Sequence, residues 1–465
     1  MNRITIACRS LLFLLLFPAA GFAQTVNYDD VAVIVNDSSA TSVAIGNYFA
    51  NARNIPTSRI IHLAVPPRET IDSLEFVALQ GQLKIALTSN NLADSLNYLV
   101  TTKGMPLRIS VNGACDSTIN SNPIPVSNCT CLESQISMLL GPLSGQILSG
   151  GASFNPARGW NQPFDRDSLG IFAVTRLDAY TEQEVRDLID RSGPDLVYNT
   201  QAQAVLDYSN ALTSDLTLWE SWVERTVDSL TPLPLLVLDD TANATFVANE
   251  ANVVSYFGIH YQPSIVQTNF NWAPGGFGML YYGKLAESFD PANNLNNEYW
   301  SGDMIRDGAT VSAAPVYWTY VSPAPRPWEM FTQYLDPATN FNAAEAFYNS
   351  VVFLGDQWLL VGDPKTSVRS VLTLNTPPAP PEDLPFIIFP NPNAGQFTLQ
   401  ADLKPGPVTI SIANPLGQLV YREAIQHAGG TWTQSLDLNQ VSRGVYLLRV
   451  DTERERIVRR VVIDH

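Results

Sequence analysis

A run of prolines near the carboxyl end divides this chain into two parts with different periodicities. Residues 375–381 read Asn-Thr-Pro-Pro-Ala-Pro-Pro, and such a stretch forms a stiff, extended linker. Strand-like and helix-like segments alternate before it, whereas only short strand-like segments follow it. We therefore predict an α/β body at residues 24–374, a linker at 375–385 and a separate all-β domain at 386–465.

The body shows the alternation of buried strands and helices that is typical of α/β proteins. The apolar run at 30–35, for example, is followed by helical spacing at 42–52. The predicted strands are 30–35, 59–65, 98–102, 170–176, 202–206, 235–238, 277–282 and 310–318, and the predicted helices are 42–52, 75–88, 182–192, 218–230, 304–308 and 343–352. This order favours a mostly parallel, doubly wound sheet covered on both faces.

The segment after the linker contains only short strand-like patterns. Its predicted strands are 396–399, 408–413, 419–424, 431–436, 444–450 and 457–463. Asn-Pro, Gly-Pro, Pro-Leu-Gly and Gly-Gly turns separate them. This many short strands in so short a segment predicts a small β-sandwich.

Residues 1–23 have the layout of a signal peptide. Arg3 and Arg9 are basic, residues 11–17 form a short apolar run, and small residues precede the predicted cleavage after Ala23. The run is shorter than the roughly 20 residues that span a bilayer, and no other segment is long and apolar enough. We therefore predict an exported protein with no transmembrane segment.

The charge balance argues against nucleic acid as a partner. Lys and Arg number 27 against 44 Asp and Glu, which gives a formal net charge of −17. Phosphate binding requires clustered cations, and the bases are dispersed except near the end. There, Arg454, Arg456, Arg459 and Arg460 alternate with acidic and apolar residues, as on a solvated strand edge.

Three cysteines remain after the predicted cleavage: Cys115, Cys129 and Cys131, all in one Asn/Ser/Pro-rich loop. Because an exported protein meets oxidising conditions, we predict a disulfide that joins Cys115 to Cys129 or to Cys131 and leaves one thiol. Cys129 and Cys131 offer too few ligands for structural zinc, which takes four.

Polar side chains follow several predicted strands at the points where the strands end. In an open parallel sheet, ligands bind outside the carboxyl ends of the strands. The candidate catalytic residues are therefore Lys103, Asp178, Asp207, Asp239 and Glu287, and the candidate metal ligands are Asp239 and Asp240. Carboxylates around one crevice bind a divalent cation or supply a general acid and base. An Asp at a strand end also caps helices and closes turns, so both interpretations stay open.

The tail resembles the C-terminal sorting domain of the type IX secretion system of Bacteroidetes-type bacteria. The resemblance covers 386–465 and rests on Phe-Pro-Asn-Pro-Asn at 389–393, Leu-Gly-Gln-Leu-Val at 416–420, Gly-Val-Tyr at 444–446 and Arg-Arg-Val-Val-Ile at 459–463. It implies recognition by the type IX machinery and passage across the outer membrane. It also implies removal of the tail or attachment of the protein to the cell surface.

The body resembles an uncharacterised family of exported bacterial proteins, through segments such as 98–108, 173–178 and 361–364. It is also remotely similar to gingipain-type caspase-fold peptidases, whose catalytic domains end in a Gly-Asp-Pro motif like that at 362–364. Those enzymes need a His-Gly pair and a Cys, each after a strand. Here Gly283-Lys284 follows the strand, and no cysteine follows Cys131.

Two functions follow from these observations. The first is an exported, non-peptidase binding or structural module with a caspase-like sheet, whose partner is an extracellular glycan or protein. The alternative is a hydrolase that uses the strand-end carboxylates, with or without a divalent cation, on extracellular polysaccharide or peptide.

Overall fold

A computed structural model divides the chain into two compact units, Met1–Asn375 and Thr376–His465. The structure describes residues 26–89, 92–110, 115, 117–118, 126–142, 144, 153–208, 216–240, 247–259, 268–281, 284–294, 298–319, 323–339, 341–370, 386–414, 419–452 and 456–464. The predicted signal peptide and linker lie outside these residues.

A ten-stranded sheet forms the centre of the first unit. Its strands are β1 (Val31–Asn36), β2 (Ile60–Leu63), β3 (Tyr98–Thr102), β4 (Ala173–Leu177), β5 (Gln203–Tyr208), β6 (Leu236–Asp240), β7 (Ala251–Ile259), β8 (Asn271–Tyr281), β9 (Val311–Pro315) and β10 (Trp358–Val361). Their spatial order is β6-β5-β7-β8-β9-β10-β4-β3-β1-β2.

The sheet consists of two parallel halves that run in opposite directions. Strands β10, β4, β3, β1 and β2 are mutually parallel and form the first half. Strands β6, β5, β7, β8 and β9 form the second half. The halves meet where β9 pairs antiparallel with β10, with Ser312 opposite Val361. The prediction of a mostly parallel α/β sheet is confirmed, but the reversal was not predicted.

Helices lie on both faces of this sheet. They are α1 (Ala40–Ala52), α2 (Ser73–Ser89), α3 (Leu132–Ser137), α4 (Arg166–Leu169), α5 (Glu182–Arg191), α6 (Leu216–Leu230), α7 (Ser301–Arg306), α8 (Pro327–Leu335) and α9 (Ala343–Ser350). Successive strand residues point to opposite faces, and neighbours on β1 accordingly enter different cores: Val33 packs with Phe49 of α1, and Ile34 packs with Phe76 of α2.

Local sequence explains where the predicted helices begin. Ser39 caps α1 through its side chain, and Thr181 with Glu184 forms a reciprocal capping box on α5. The predicted helix at 304–308 lies instead at Ser301–Arg306, and β7 and α8 were not predicted. Polar residues such as Asn252 and Ser255 interrupt the apolar pattern of β7, and α8 starts inside a proline-rich segment.

A small three-stranded sheet holds the cysteine segment. Strand Arg108–Ser110 pairs with Thr70–Asp72 on one side and with Cys129–Cys131 on the other. Cys115 forms a disulfide with Cys129, and the Cys131 thiol is free and buried.

The second unit contains two antiparallel sheets around one hydrophobic core. Strands β11 (Ile387–Phe389), β12 (Gln396–Leu403) and β15 (Gly430–Asp437) form one sheet. Strands β13 (Gly406–Ala413), β14 (Leu419–His427), β16 (Gly444–Thr452) and β17 (Arg456–Ile463) form the other, in the order β14-β13-β16-β17. Phe397, Ile410, Trp432 and Leu448 are among the core side chains.

Candidate functional site

Five of the six residues singled out by sequence fall into two groups at opposite edges of the sheet. Lys103 and Asp178 follow β3 and β4 of the first half, whereas Asp207, Asp239 and Asp240 lie at the ends of β5 and β6 in the second half. The carboxyl ends of the two halves point in opposite directions, because β9 and β10 are antiparallel. The strand ends therefore do not bring these five residues into one crevice.

The centre of the first group is Arg176, a fully buried arginine on β4. Its Nε donates to Asp178 Oδ2 at 2.8 Å, and its Nη1 donates to Glu133 Oε1 at 2.7 Å. The same guanidinium also donates to the carbonyls of Met105 and Pro106. Burial alone would lower the pKa of Arg176, but Glu133 and Asp178 raise it above its usual value. This network fixes the segment that follows Lys103.

Lys103 is held by the same network. Its Nζ lies 3.3 Å from Asp178 Oδ1 and donates to the carbonyls of Ala179 at 2.8 Å and Phe289 at 3.0 Å. An ammonium group has three donors, and these three contacts occupy all of them. Lys103 and Asp178 are therefore together, as the sequence analysis required, but they contact each other and the backbone.

Cys131 lies beside this network with its thiol fully buried. Its Sγ donates to Glu133 Oε2 at 3.2 Å, and Thr101 Oγ1 donates to Glu133 Oε1 at 2.6 Å. Burial raises the pKa of the Cys131 thiol well above its usual value, and the charge of Glu133 raises it further. A protonated, inaccessible thiol is a poor nucleophile, which leaves Cys131 a packing role here.

The second group has Asp207 at its centre. This carboxylate is 1% exposed, and it accepts hydrogen bonds from Val247 N at 3.1 Å and from the Tyr256 hydroxyl at 3.2 Å. Asp240 lies directly opposite Asp207 in the β5–β6 register, while Asp239 is exposed. Among the described residues, no group of three or more His, Cys, Asp and Glu side chains could hold a metal ion.

Glu287 belongs to neither group. Its Oε1 lies 2.5 Å from Lys284 Nζ. Its backbone carbonyl accepts a hydrogen bond from Arg108. The loop that carries Glu287 does reach the first edge, through the contact between the Phe289 carbonyl and Lys103, but the Glu287 carboxylate itself is paired locally.

A cluster of arginines and tryptophans, which the sequence analysis did not single out, lies between α6 and α8. The guanidinium of Arg326 stands 4.6 Å from the ring centre of Trp222, and that of Arg225 stands 5.2 Å from the ring centre of Trp328. The two indole rings meet edge to face at 5.3 Å. Such guanidinium–indole stacking holds a flexible arginine in one orientation. We call these four residues the arginine–tryptophan cluster.

The cluster lies at the carboxyl edge of the second half-sheet. Trp222 is 6.3 Å, between ring centres, from Tyr281, the last residue of β8. Tyr281 in turn stacks on Trp358, the first residue of the antiparallel strand β10, at 5.8 Å. Open α/β sheets bind ligands at this kind of edge.

Positive charge accumulates at this edge although the whole chain is acidic. Arg158 reaches α8 and contacts Glu329 at 3.1 Å. Burial lowers the pKa of Arg326 to about 10, and the neighbouring charges of Arg158 and Arg225 lower it further, whereas Glu329 raises it. Arg326 also precedes the first turn of α8, which no side chain caps. An anion placed here would be stabilised by the guanidinium groups and by the helix dipole.

Asp356 is a buried carboxylate with a strongly shifted pKa. It is 2% exposed, and burial raises its pKa to about 6 although hydrogen bonds from Thr319 and from the Gln357 N–H lower it. It borders a cavity of about 10 Å³ together with Glu133 and Tyr348. That volume admits about one water molecule, so no substrate reaches Asp356 in this structure.

Sequence reasoning missed the cluster because its members are distant along the chain. The only local signals are a tryptophan and an arginine three residues apart on α6, and Arg-Pro-Trp at 326–328. Neither matches a known motif. Only the pairing of α6 with α8 brings them together.

The fold and the tail together define a two-unit α/β protein with a strand-only appendage. Within it, residues 387–464 match the family model described as a secretion system C-terminal sorting domain. This match implies recognition by the type IX machinery and secretion across the outer membrane, to the cell surface or the extracellular space. No helix among the described residues is long and apolar enough to cross a membrane.

The comparisons with curated proteins and solved structures assign no activity to the body. No curated protein matches the chain. A solved structure described as a protease is similar over 93% of this chain and 97% of its own, with 8% identity and a TM-score of 0.38. A β-glucosidase from Listeria innocua in complex with glucose is similar over 61% of this chain and 49% of its own, with 10% identity and a TM-score of 0.14. With TM-scores this low, neither likeness bears on fold or activity.

Proposed function

We propose that the body is a non-peptidase binding module that works outside the cell and binds an acidic glycan at the arginine–tryptophan cluster. The observation that carries this proposal is the gathering of Arg158, Arg225 and Arg326 at the carboxyl edge of the second half-sheet. The charged side chains that act on Arg326 include two arginines and one carboxylate, Glu329, although the chain as a whole has a net charge of −17.

The chemistry of the cluster fits a sugar ring that bears a carboxylate. A guanidinium binds a carboxylate through two parallel hydrogen bonds. Trp328 is half-buried, so part of its indole ring is accessible beside the guanidinium of Arg225. Binding sites commonly combine aromatic surface with a few charged groups that fix orientation. The acidic surroundings predict a modest affinity that falls as salt screens the cluster.

The positions of the carboxylates support a binding role over a hydrolytic one. Asp178 is paired with Arg176, Asp207 accepts two hydrogen bonds inside the protein, and Glu287 is paired with Lys284. An acid and a base that act on one bond must face the same substrate. Asp178 and Asp207 lie at opposite edges of the sheet, so these two carboxylates cannot both do so.

The test measures binding of oligogalacturonate to the mature chain, with the methyl-esterified oligomer as the neutral comparison. We expect Arg225→Gln to weaken binding by about ten- to a hundredfold, since charge-assisted hydrogen bonds contribute about 1.5–3 kcal/mol each. Arg186→Gln is the matched control. Arg186 lies on α5, beside the first half of the sheet, and its guanidinium also stacks on an aromatic ring, 4.4 Å from the ring centre of Tyr48. Glu329→Gln should tighten binding, because it removes the carboxylate that pairs with Arg158.

Three results would contradict the proposal. One is equal binding of the esterified and the acidic oligomer. Another is an equal loss of affinity in Arg225→Gln and Arg186→Gln. The third is competition by a poly-glutamate peptide of the same charge at the same concentration, which would show that the cluster recognises charge without a sugar.

A further inference from the structure

The sorting domain leaves one sheet face apolar and basic. In the four-stranded sheet, β16 sends Tyr446, Leu448 and Val450 into the core, so Val445, Leu447 and Arg449 point outward. Val445 is 37% and Leu447 is 40% exposed. Side chains of this kind are normally buried, and contiguous exposed apolar surface marks an interaction site.

Strand register shows that the outward side chains are contiguous. Leu447 lies opposite Ala413 on one side and Arg460 on the other, and Ala413 lies opposite Leu419, which is 56% exposed. One row therefore crosses all four strands. Directly opposite residues have Cβ atoms about 4.5–5.5 Å apart, so no gap separates the apolar members.

Two neighbouring rows extend this face. Val445 lies opposite the half-buried Val462, which continues the apolar surface. On the other side, Arg422 lies opposite Ser411, which in turn lies opposite Arg449. We call this surface the outer face; its residues are Ser411, Ala413, Leu419, Arg422, Val445, Leu447, Arg449, Arg460 and Val462.

The outer face is basic compared with the rest of the chain. Of the 27 Lys and Arg and 44 Asp and Glu, eight and nine lie in 376–465, which gives a net charge of −1 there and −16 in residues 1–375. Three arginines border the apolar rows, and one of them, Arg449, is paired with Asp451 at 2.6 Å. A complementary partner surface is apolar with carboxylates around it.

The carboxyl half of the last strand does not offer its edge for pairing. Asn391 Oδ1 accepts from Val462 N at 2.8 Å, and Asn391 Nδ2 donates to the Arg460 carbonyl at 2.9 Å. Asn393 N donates to the Val462 carbonyl, and Asp464 N donates to the Asn393 carbonyl. The Pro-Asn-Pro-Asn segment thus covers the carboxyl half of β17, and covered edges resist strand addition. A partner of this end of the sheet meets its face.

We infer that a component of the type IX secretion machinery docks on the outer face, through an apolar surface bordered by carboxylates. The sorting match at 387–464 implies that this domain has a partner. The exposure, register and charge of the outer face indicate where that partner binds and which chemistry its surface has. The inference concerns the tail alone and does not depend on what the body binds.

The test follows export of the full-length chain in a bacterium that has a type IX system, by comparing the amounts outside the cell and in the periplasm. We expect Leu447→Asp to reduce the exported fraction at least tenfold and Arg460→Glu to reduce it severalfold. Thr433→Asp is the control, because Thr433 is an exposed residue in the middle of β15, an edge strand of the other sheet. Its variant should be exported normally.

Folding is checked by thermal unfolding of the purified chains. If Leu447→Asp lowers the melting temperature, the decision rests on Arg460→Glu and Arg422→Glu, whose side chains are exposed. Normal export of both arginine variants would overturn the inference, as would an equal loss with Thr433→Asp. If these variants instead alter self-association in solution and leave export unchanged, the outer face binds a second copy, and the inference is likewise wrong.

Discussion

At the scale of single residues, buried charge explains why strand-end positions were informative and yet misleading. Sequence reasoning located Lys103 and Asp178 correctly at the ends of neighbouring strands. Arg176 lies two residues before Asp178. The local sequence did not predict that Arg176 would be buried and paired with both Asp178 and Glu133. Glu133 lies on α3, far from Arg176 along the chain, so no local pattern contains this pairing.

We expect Arg176→Ala to destabilise the body by about 3–5 kcal/mol, because it leaves Glu133 and Asp178 buried without their partner. Arg186→Ala is the comparison, since it removes a partly exposed arginine paired with Glu182 four residues away. Such a pair contributes about 0.3–0.5 kcal/mol. Urea unfolding of the body measures both values.

A loss below about 1 kcal/mol for Arg176→Ala would show that the network is not structural, since removal of one buried partner leaves uncompensated charge. If Arg176→Ala does not fold, Glu133→Gln keeps the side-chain shape and tests the same network with a milder change.

Asp356 predicts how the stability of the body depends on pH. Its pKa is raised from 3.8 to about 6, so the folded state binds this proton more tightly than the unfolded state. The stabilisation is therefore complete below about pH 4 and is lost as the pH rises through about 6. We compare the free energy of unfolding of Asp356→Asn with that of the unmodified chain at each pH. We expect this difference to favour the variant more at about pH 7.5 than at about pH 4, by up to about 3 kcal/mol. Parallel pH profiles of the two chains, in urea unfolding, would contradict the assignment.

At the scale of elements, the sequence specified most of the strands but not their directions. Apolar runs such as that of β1 predict a strand buried on both faces, whichever way the strand runs. Direction is decided by the connection between β9 and β10, which contains α8 and α9 and returns the chain antiparallel. Because that connection includes an unpredicted helix, the reversal could not be predicted. The separation of the candidate carboxylates follows from the reversal and could not be predicted either.

Two glycines test how closely the helices pack on the sheet. A Cβ on Gly46 of α1 would lie 2.2 Å from Val35 Cγ1 of β1, whereas a Cβ on Gly81 of α2 meets nothing within 4 Å. Alanine is favoured over glycine in a helix by about 1 kcal/mol. We therefore expect Gly81→Ala to stabilise the body by about 0.5–1 kcal/mol and Gly46→Ala to destabilise it by about 1–3 kcal/mol through overpacking.

Chemical denaturation measures the free energy of unfolding of both variants. It compares a helix glycine that contacts the sheet with one that has open space beside it. If Gly46→Ala is as stable as Gly81→Ala, then α1 moves away from β1 without cost and the packing described for this face is wrong.

At the scale of the whole molecule, the export route follows from local motifs, whereas the function proposed for the body does not. The change from an α/β rhythm to a strand rhythm predicted the tail, and its motifs predicted the sorting match that the comparisons show at 387–464. Those motifs are local in sequence. The arginine–tryptophan cluster is assembled from α6 and the start of α8, and Arg158 reaches α8 from a separate turn. The cluster therefore exists only in the folded body.

The most direct test of a binding body asks whether an acidic glycan is held and left intact. The mature chain is incubated with oligogalacturonate, with and without chelator, and both the bound glycan and new reducing ends are measured. The account predicts retention of the glycan, lost in Arg225→Gln, with no new reducing ends in either condition. New reducing ends that disappear in Asp178→Asn or Asp207→Asn would contradict it and establish the hydrolase instead.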